Sequence, residues 1–309
     1  MRAEQQLPLV STVIPTLNRP QLVRRAVLSA LDQTYSNLEI VVVVDGLDLD
    51  TVEELEMLQE PRLRVIALPE NAGPATARNI GVRESRGEWI AFLDDDDEWL
   101  PEKTAKQISS SAHIDPAINF VSCRVEERNR DTSCVKPHDF PRPGENLSEY
   151  MFCRGGLLLP STYLVKRTVM LAVPFRNGLR GNEDSDWLFR AQAAGVISPR
   201  WVDDVLTIYH NEASEDRLSI HPEWRDRYQW LLESPGLLTK RSVPFYLGRI
   251  CIPEARRSSA PLRDCCFLLK EAALRGKLSA RAIFYLTVVT LSSRKWRKGV
   301  RMRLGFAAN

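Results

Sequence analysis

Apolar residues along this chain fall into two alternating rhythms. Leu9 to Ile14 (LVSTVI) is a short β-branched run that ends at Pro15, the pattern of a strand buried on both faces. After it, Asn18 is placed to cap a helix with Pro20 in its first turn, and Leu22, Val23, Ala26, Val27, Ala30 and Leu31 repeat at helical spacing. The unit recurs. Leu38 to Val44 (LEIVVVV) predicts a second strand ending at Asp45-Gly46, and Thr51 to Leu58 a second helix. Leu63 to Leu68 predicts a third strand, closed by Asn71-Ala72-Gly73; Pro74 opens a helix to about Ser85. Trp89 to Leu93 (WIAFL) predicts a fourth strand, running straight into Asp94, Asp95, Asp96 and Asp97.

Strands alternating with helices predict an α/β fold with a mostly parallel sheet covered on both faces. Ligands of such sheets bind beyond the carboxyl ends of the strands, where loops and helix N-termini converge. Those loops are residues 15–19, 45–48, 70–75 and 94–98. Further on, a helix is expected from Pro101, a strand over Asn119 to Val125, a loop over Glu126 to Gly144, renewed apolar character over Leu157 to Val165, and a helix over Asp186 to Ala194. Beyond about Arg217 the alternation stops and the chain reads as helical and basic. The expected organisation is therefore a domain over residues 1–216, with halves 1–106 and 107–216, followed by a helical extension over 217–309.

Composition adds a few exclusions. With 309 residues, 44% of them hydrophobic, the chain can bury a substantial core. The net charge of +2 argues against a general polyanion binder, but nine cations and no acid follow Glu271, so the rest is acidic on balance. The six cysteines show neither a CxxC pair nor a repeated spacing, which suits a reducing compartment better than a zinc site or disulfide framework. The N-terminus MRAEQQLPLV lacks the apolar core of a signal peptide, and Ala282 to Leu291 is too short to cross a bilayer, so a cytoplasmic protein is expected. Arg294 to Arg303, followed by Leu304 and Phe306, interleaves cations with Trp296, Val300 and Met302. That composition suits a helix lying on an anionic membrane at the inner face, as well as a solvated tail; nucleic acid is disfavoured because the basic stretch is short.

Four consecutive aspartates at a strand end repel one another unless solvent or a cation relieves them. Hard carboxylate oxygens at this density suit Mg²⁺ or Mn²⁺, which bind through one or two carboxylates plus substrate phosphates. A solvated acidic turn before a helix is the plainer alternative. The segments TVIPTLNRP, IVVVVDG and NAGPATARNIGVRESRGEWIAFLDDDDEWLPEK, in this order over roughly residues 8 to 106, resemble the nucleotide-binding half of the family 2 glycosyltransferases, whose fold is GT-A. The resemblance implies that Pro15, Thr16, Asn18, Asp45 and Arg78 surround the donor nucleotide, with Asp45 on the base or ribose. It makes Asp94 and Asp96 the DxD pair, Asp96 the metal ligand, and Asp94 or Asp95 a ribose or water-mediated contact. An aromatic residue common in the family near Leu17 is absent, which leaves the base open, with a UDP-sugar favoured.

The later segment Asn182-Glu183-Asp184-Ser185-Asp186-Trp187, preceded by Pro174-Phe175, resembles the family's ED motif. There the resemblance names Asp184 as the general base that deprotonates a sugar hydroxyl, and Glu183 as the group orienting the acceptor or its loop. Without it, the two are ordinary first-turn acids of a helix. Arg180 and Arg190 are candidates for phosphate or acceptor contacts, and His210 for a metal or phosphate contact. The expected activity is inverting, metal-dependent hexosyl transfer from a nucleoside-diphosphate sugar to a saccharide or lipid-linked hydroxyl, in polysaccharide or glycoconjugate synthesis. Two rivals stay open: metal-dependent nucleotidyl transfer, for which no early glycine-rich, lysine-bearing loop is present, and a non-catalytic membrane-associated binding protein of the same fold.

Overall fold

The computed structural model describes residues 7–111, 115–130, 132–211 and 223–291. In chain order the first elements are β1 (Val10–Thr16), α1 (Pro20–Leu31), β2 (Leu38–Val44), α2 (Leu49–Glu56), β3 (Leu63–Ala67), α3 (Pro74–Glu84) and β4 (Trp89–Phe92). They are followed by β5 (Glu98–Trp99), α4 (Lys103–Ser109), β6 (Phe120–Asn129), β7 (Thr132–Lys136), β8 (Leu164–Lys166), α5 (Arg167–Ala172), α6 (Glu183–Ala193) and β9 (Pro199–His210). Helices α7 (Trp224–Glu233), α8 (Val243–Tyr246), α9 (Ile252–Ala255), α10 (Pro261–Arg275) and α11 (Ala280–Leu291) complete the described chain. The expected domain boundary between residues 216 and 217, and the basic stretch 294–306, lie outside the described residues. No helix among the described residues is long and apolar enough to cross a membrane.

Contacts divide the chain into two compact units. The first takes the described residues within Met1–Lys136, Leu158–Gly178 and Ala194–Leu218. It contains one mixed sheet in the order β3-β2-β1-β4-β8-β6-β9-β5, with β7 beside β6. Strands β3, β2, β1 and β4 are mutually parallel, β8 runs against both β4 and β6, and β9 runs parallel to β6. The carboxyl ends of β1 to β4, β6 and β9 therefore point to one edge.

Strand β2 shows why its run from Ile40 to Val44 is uninterruptedly apolar. Ile40, Val42 and Val44 pack with Val23, Ala26, Val27 and Ala30 of α1 and Leu55 of α2. The intervening Val41 and Val43 meet Ala77 and Ile80 of α3 on the opposite face. Both faces are covered, so alternation disappears and only β-branched side chains remain. The strand is legible in the sequence for the same reason.

β1 runs two residues past the expected last residue, Ile14, through Pro15 to Thr16. The Val13 carbonyl accepts from Leu93 N–H and the Thr16 carbonyl from Asp45 N–H, so alternate residues face β4 and β2. Pro15 faces the β4 side after that strand has ended, and its missing N–H costs no ladder bond. The expected cap at Asn18 is also corrected. Arg19 holds the N-cap position without a side-chain cap, and Asn18, at φ 55°, gives its N–H to Asp48 Oδ2 at 2.6 Å.

Residues 126–144 are not simply a loop. β6 continues to Asn129 and forms a hairpin with β7, carrying a buried Lys136–Glu127 ion pair. The polar composition hid this strand, because the pairing is satisfied by ladder bonds and a salt bridge rather than by an apolar stripe.

The second unit takes the described residues within Pro137–Leu157, Leu179–Ala193 and Ser219–Asn309. Here α6 lies among the C-terminal helices. Trp187, Leu188 and Phe189 are buried, Phe152 meets Phe189 and Tyr246 edge-on, and Trp230 packs on Tyr246 with ring centroids 5.4 Å apart.

Candidate functional site

Strand β4 delivers the four aspartates into a tight turn, closed by Asp97 N–H on the Asp94 carbonyl at 3.1 Å. The turn divides the acids by alternation. The side chains of Asp94 and Asp96 are 28% and 26% exposed, whereas Asp95 and Asp97 are buried. Asp95 accepts from Thr16 Oγ1 at 2.8 Å and Arg19 Nη1 at 3.0 Å. Burial nevertheless pushes its pKa up to about 7, Arg19 opposing the shift and the Asp96 and Asp94 charges adding to it. Asp97 accepts from Ser161 Oγ at 2.5 Å and His210 N–H at 3.3 Å. Burial, then the charges of Asp96 and Asp94, hold its carboxyl well above the usual range.

The outward pair is flanked by guanidinium groups. Arg78, buried on α3 with its guanidinium 5.6 Å from the Phe175 ring centre, donates to Asp94 Oδ1 at 2.5 Å. Arg19 approaches Asp96 Oδ2 at 3.6 Å, and Arg25 donates to the Asp96 carbonyl at 2.7 Å. Arg25 and Ser161 escape the sequence reading, and Arg19 enters it only as the last residue of the loop 15–19, with no role assigned. Arg25 sits in the second turn of an amphipathic helix, where a cation on the polar side is unremarkable, and Ser161 lies in a turn preceded by leucines. The one available signal for Arg25 was the adjacency of α1 to that loop.

The neighbouring loops are tied to one another. Asp45, buried just past β2, accepts from Ala72 N–H at 2.8 Å and Gly73 N–H at 2.9 Å, one on each oxygen. It thus fixes the turn that opens α3, on which Arg78 sits. His210, the last residue of β9, places Nε2 2.7 Å from Glu98 Oε1. The structure therefore brings Pro15, Thr16, Asn18, Asp45, Arg78, Asp94, Asp95, Asp96 and His210 to the carboxyl edge of the sheet within the first unit.

Arg180, Glu183, Asp184 and Arg190 belong to the second unit. Glu183 and Asp184, half-buried, open α6, where the helix dipole favours carboxylates. Arg180 is exposed. Arg190 Nε donates to the buried carboxylate of Asp186, one helical turn earlier, at 2.6 Å.

Whether the acidic turn suits a divalent cation is a question of donor number. Among the described residues no three His, Cys, Asp or Glu side chains converge on one point as a self-sufficient cage. Mg²⁺ and Mn²⁺ need only one or two carboxylates where substrate phosphates complete the shell. Asp96 fits that requirement: it is part-exposed, and its carboxylate is a hard oxygen donor at the outward side of the turn.

The family model described as Glycosyl transferase family 2 matches residues 11–154. An uncharacterized glycosyltransferase of Rickettsia felis is 29% identical over 284 residues, covering 86% of this chain and 45% of that protein, so the chain spans under half of this relative's length. Among solved structures, residues 1–349 of S. aureus TarS in complex with UDP-GlcNAc superpose with a TM-score of 0.58 at 20% identity, over 86% of this chain and 72% of that one. The mannosyltransferase PcManGT from Pyrobaculum calidifontis, in complex with GDP-Man and Mn²⁺, gives a TM-score of 0.53 at 18% identity, over 98% and 86% of the two chains. At these identities the two likenesses are of fold.

Proposed function

From its membership of glycosyl transferase family 2 and its GT-A fold, we propose that this chain moves a sugar from a nucleoside-diphosphate sugar to a hydroxyl acceptor, with inversion at the anomeric carbon. The observation that carries the reading is the alternation within the acidic turn. Two aspartates are consumed by the scaffold, and the two between and beside them, Asp94 and Asp96, are held outward among arginines at the sheet edge where α/β ligands bind.

In this reading Asp96 would hold Mg²⁺ or Mn²⁺, which when bound would supply positive charge to offset that of the donor diphosphate. Asp94 and Arg78 act as a pair on the nucleotide, Arg78 supplying a fixed positive charge and Asp94 an acceptor for ribose hydroxyls. Asp95 holds Arg19 against the turn. Pro15, Thr16 and Asn18 line the donor with backbone and small polar groups, and Asp45 shapes the base-binding side through the loop it fixes at Ala72 and Gly73. His210 bonds to Glu98 and braces the turn from β9 rather than acting as a first choice of metal ligand. Asp184 takes the proton of the attacking hydroxyl, and Glu183 orients the acceptor. Arg190, engaged by Asp186, keeps α6 in place, whereas exposed Arg180 is the cation suited to meet phosphate or acceptor.

A UDP-sugar is the favoured donor, TarS having been crystallised with UDP-GlcNAc; PcManGT, with GDP-Man and Mn²⁺, makes GDP-sugars the comparison. A saccharide or lipid-linked acceptor, met at the inner membrane face, completes the proposal. The test is to incubate the full chain with UDP- and GDP-sugars, Mn²⁺ and a panel of saccharide and lipid-linked acceptors, and to follow the nucleotide product. Release of nucleoside diphosphate coupled to glycoside formation is expected, lost in Asp96→Ala and in Asp184→Asn while circular dichroism stays unchanged. Pyrophosphate as product, or normal turnover by either variant, overturns the assignment.

A further inference from the structure

Asp184 stands between two residues whose polar groups are held by the C-terminal helices. Two positions before it, Asn182 has a left-handed backbone, φ 64°, a conformation few non-glycine residues adopt without a local reason. Both ends of its amide are engaged. Nδ2 donates to Tyr246 Oη at 2.8 Å, and Oδ1 accepts from Arg227 Nη1 at 2.7 Å. Tyr246 Oη in turn donates to the Arg227 carbonyl at 2.8 Å, which closes a three-membered ring of hydrogen bonds, and Glu254 pairs with Arg227 Nε at 3.0 Å.

Two positions after Asp184 the pattern repeats. Asp186, fully buried, accepts from Trp230 Nε1 on Oδ1 at 2.9 Å and from Arg190 Nε on Oδ2 at 2.6 Å, while its own N–H donates to the Asn182 carbonyl at 2.7 Å. Arg227 and Trp230 are three residues apart on α7 and so lie on one face of that helix. All these groups belong to the second unit.

We infer that Tyr246, Arg227 and Trp230 are positioning residues for Asp184, and that α7 and α8 thereby hold the base in register. The inference rests on the reading of Asp184 given above. Proton removal needs the carboxylate within about 2.6–3.2 Å of the hydroxyl. The first turn of α6 sets where that carboxylate lies, and its backbone path is fixed at Asn182 and Asp186. Loosening either clamp leaves donor binding intact and lowers the rate at which the bound acceptor is deprotonated.

Tyr246→Phe removes the hydroxyl and keeps the ring that packs on Phe152 and Trp230. Asn182→Gly keeps the positive φ and removes the amide. For each, in the full chain, the expected result is a fall in kcat of about tenfold or more, a donor KM within about twofold of wild type, as expected when only transition-state interactions are lost, and an unchanged thermal shift with nucleoside diphosphate and Mn²⁺. Because both act through one ring, the double variant should lose little more than either single one. Wild-type kcat in Tyr246→Phe, a loss confined to KM, or losses that multiply in the double variant would overturn the inference. Asp184→Asn separates the two levels: if it is inactive and Tyr246→Phe is normal, only the positioning role fails, whereas an active Asp184→Asn removes both.

Discussion

Arg19 and Asp95 meet at 3.0 Å across 76 positions of sequence, both more than nine-tenths buried. The pair fastens the turn after β4 to the start of α1, and Arg19 also approaches Asp96 at 3.6 Å. Removing one member of a buried pair leaves the other charge without compensation. Arg19→Met should therefore destabilise the chain by about 2–4 kcal/mol, the lower end applying if Asp95 takes up a proton. Chemical denaturation of wild type and variant at pH 8 measures this, and an unchanged midpoint would show that the pair contributes nothing.

Gly81 marks the closest approach of α3 to the sheet. A Cβ there would lie 2.4 Å from Val13 Cγ1, in the middle of β1. On propensity alone alanine should stabilise a helix interior by about 1 kcal/mol. The clash reverses the sign, because neither the helix nor the central strand can retreat without opening the core. Gly81→Ala is expected to cost about 1–3 kcal/mol, read as a lowered Tm; a rise in Tm would mean that Val13 changes rotamer at no cost.

Elements that bury both faces were legible in the sequence, since IVVVV (Ile40 to Val44) and WIAFL leave no polar position to confuse the reading. β7 and most of β9 were not. The first has no apolar stripe and is defined by the hairpin it forms with β6, and the second carries Asp203 and Asp204 in mid-strand and is defined by pairing with β6, a partner distant in sequence. At the candidate site the acidic turn was visible as a run of identical letters. The division of labour within it was not, because it depends on which side of the turn Thr16, Arg19 and Ser161 occupy. Asn18 shows the opposite error: a residue type suited to helix capping instead takes up a positive φ of 55°, from which its backbone N–H donates to Asp48.

Asp45 offers a separate measurement. Its two oxygens accept from successive backbone N–H groups at 2.8 and 2.9 Å, an arrangement that asparagine cannot reproduce. The single amide oxygen serves one donor, and the NH₂ group then opposes the other. Asp45→Asn should cost about 1–3 kcal/mol and loosen the turn ahead of α3. In the proposed donor site the same change should weaken nucleoside-diphosphate binding, seen as a smaller thermal shift at fixed ligand concentration. Full retention of both stability and shift would show that the loop holds without its carboxylate anchor.

Lys103 is buried on α4, with Nζ 2.7 Å from Gln107 Oε1 and 4.0 Å from the Trp99 ring centre. Burial pulls its pKa from 10.5 down to about 8. The folded value is therefore lower than the unfolded one, and between pH 8 and 10.5 the unfolded chain binds more protons than the folded chain. Stability from this group must rise with pH across that window; below it both states carry the proton, and the folded state bears the cost of burying a cation. Lys103→Met has no such titration. The Tm of wild type minus that of Lys103→Met should therefore increase between pH 7.5 and pH 10, with other groups cancelling in the difference. A flat or falling difference would mean that the ammonium stays fully protonated in the folded chain, stabilised by the Trp99 face.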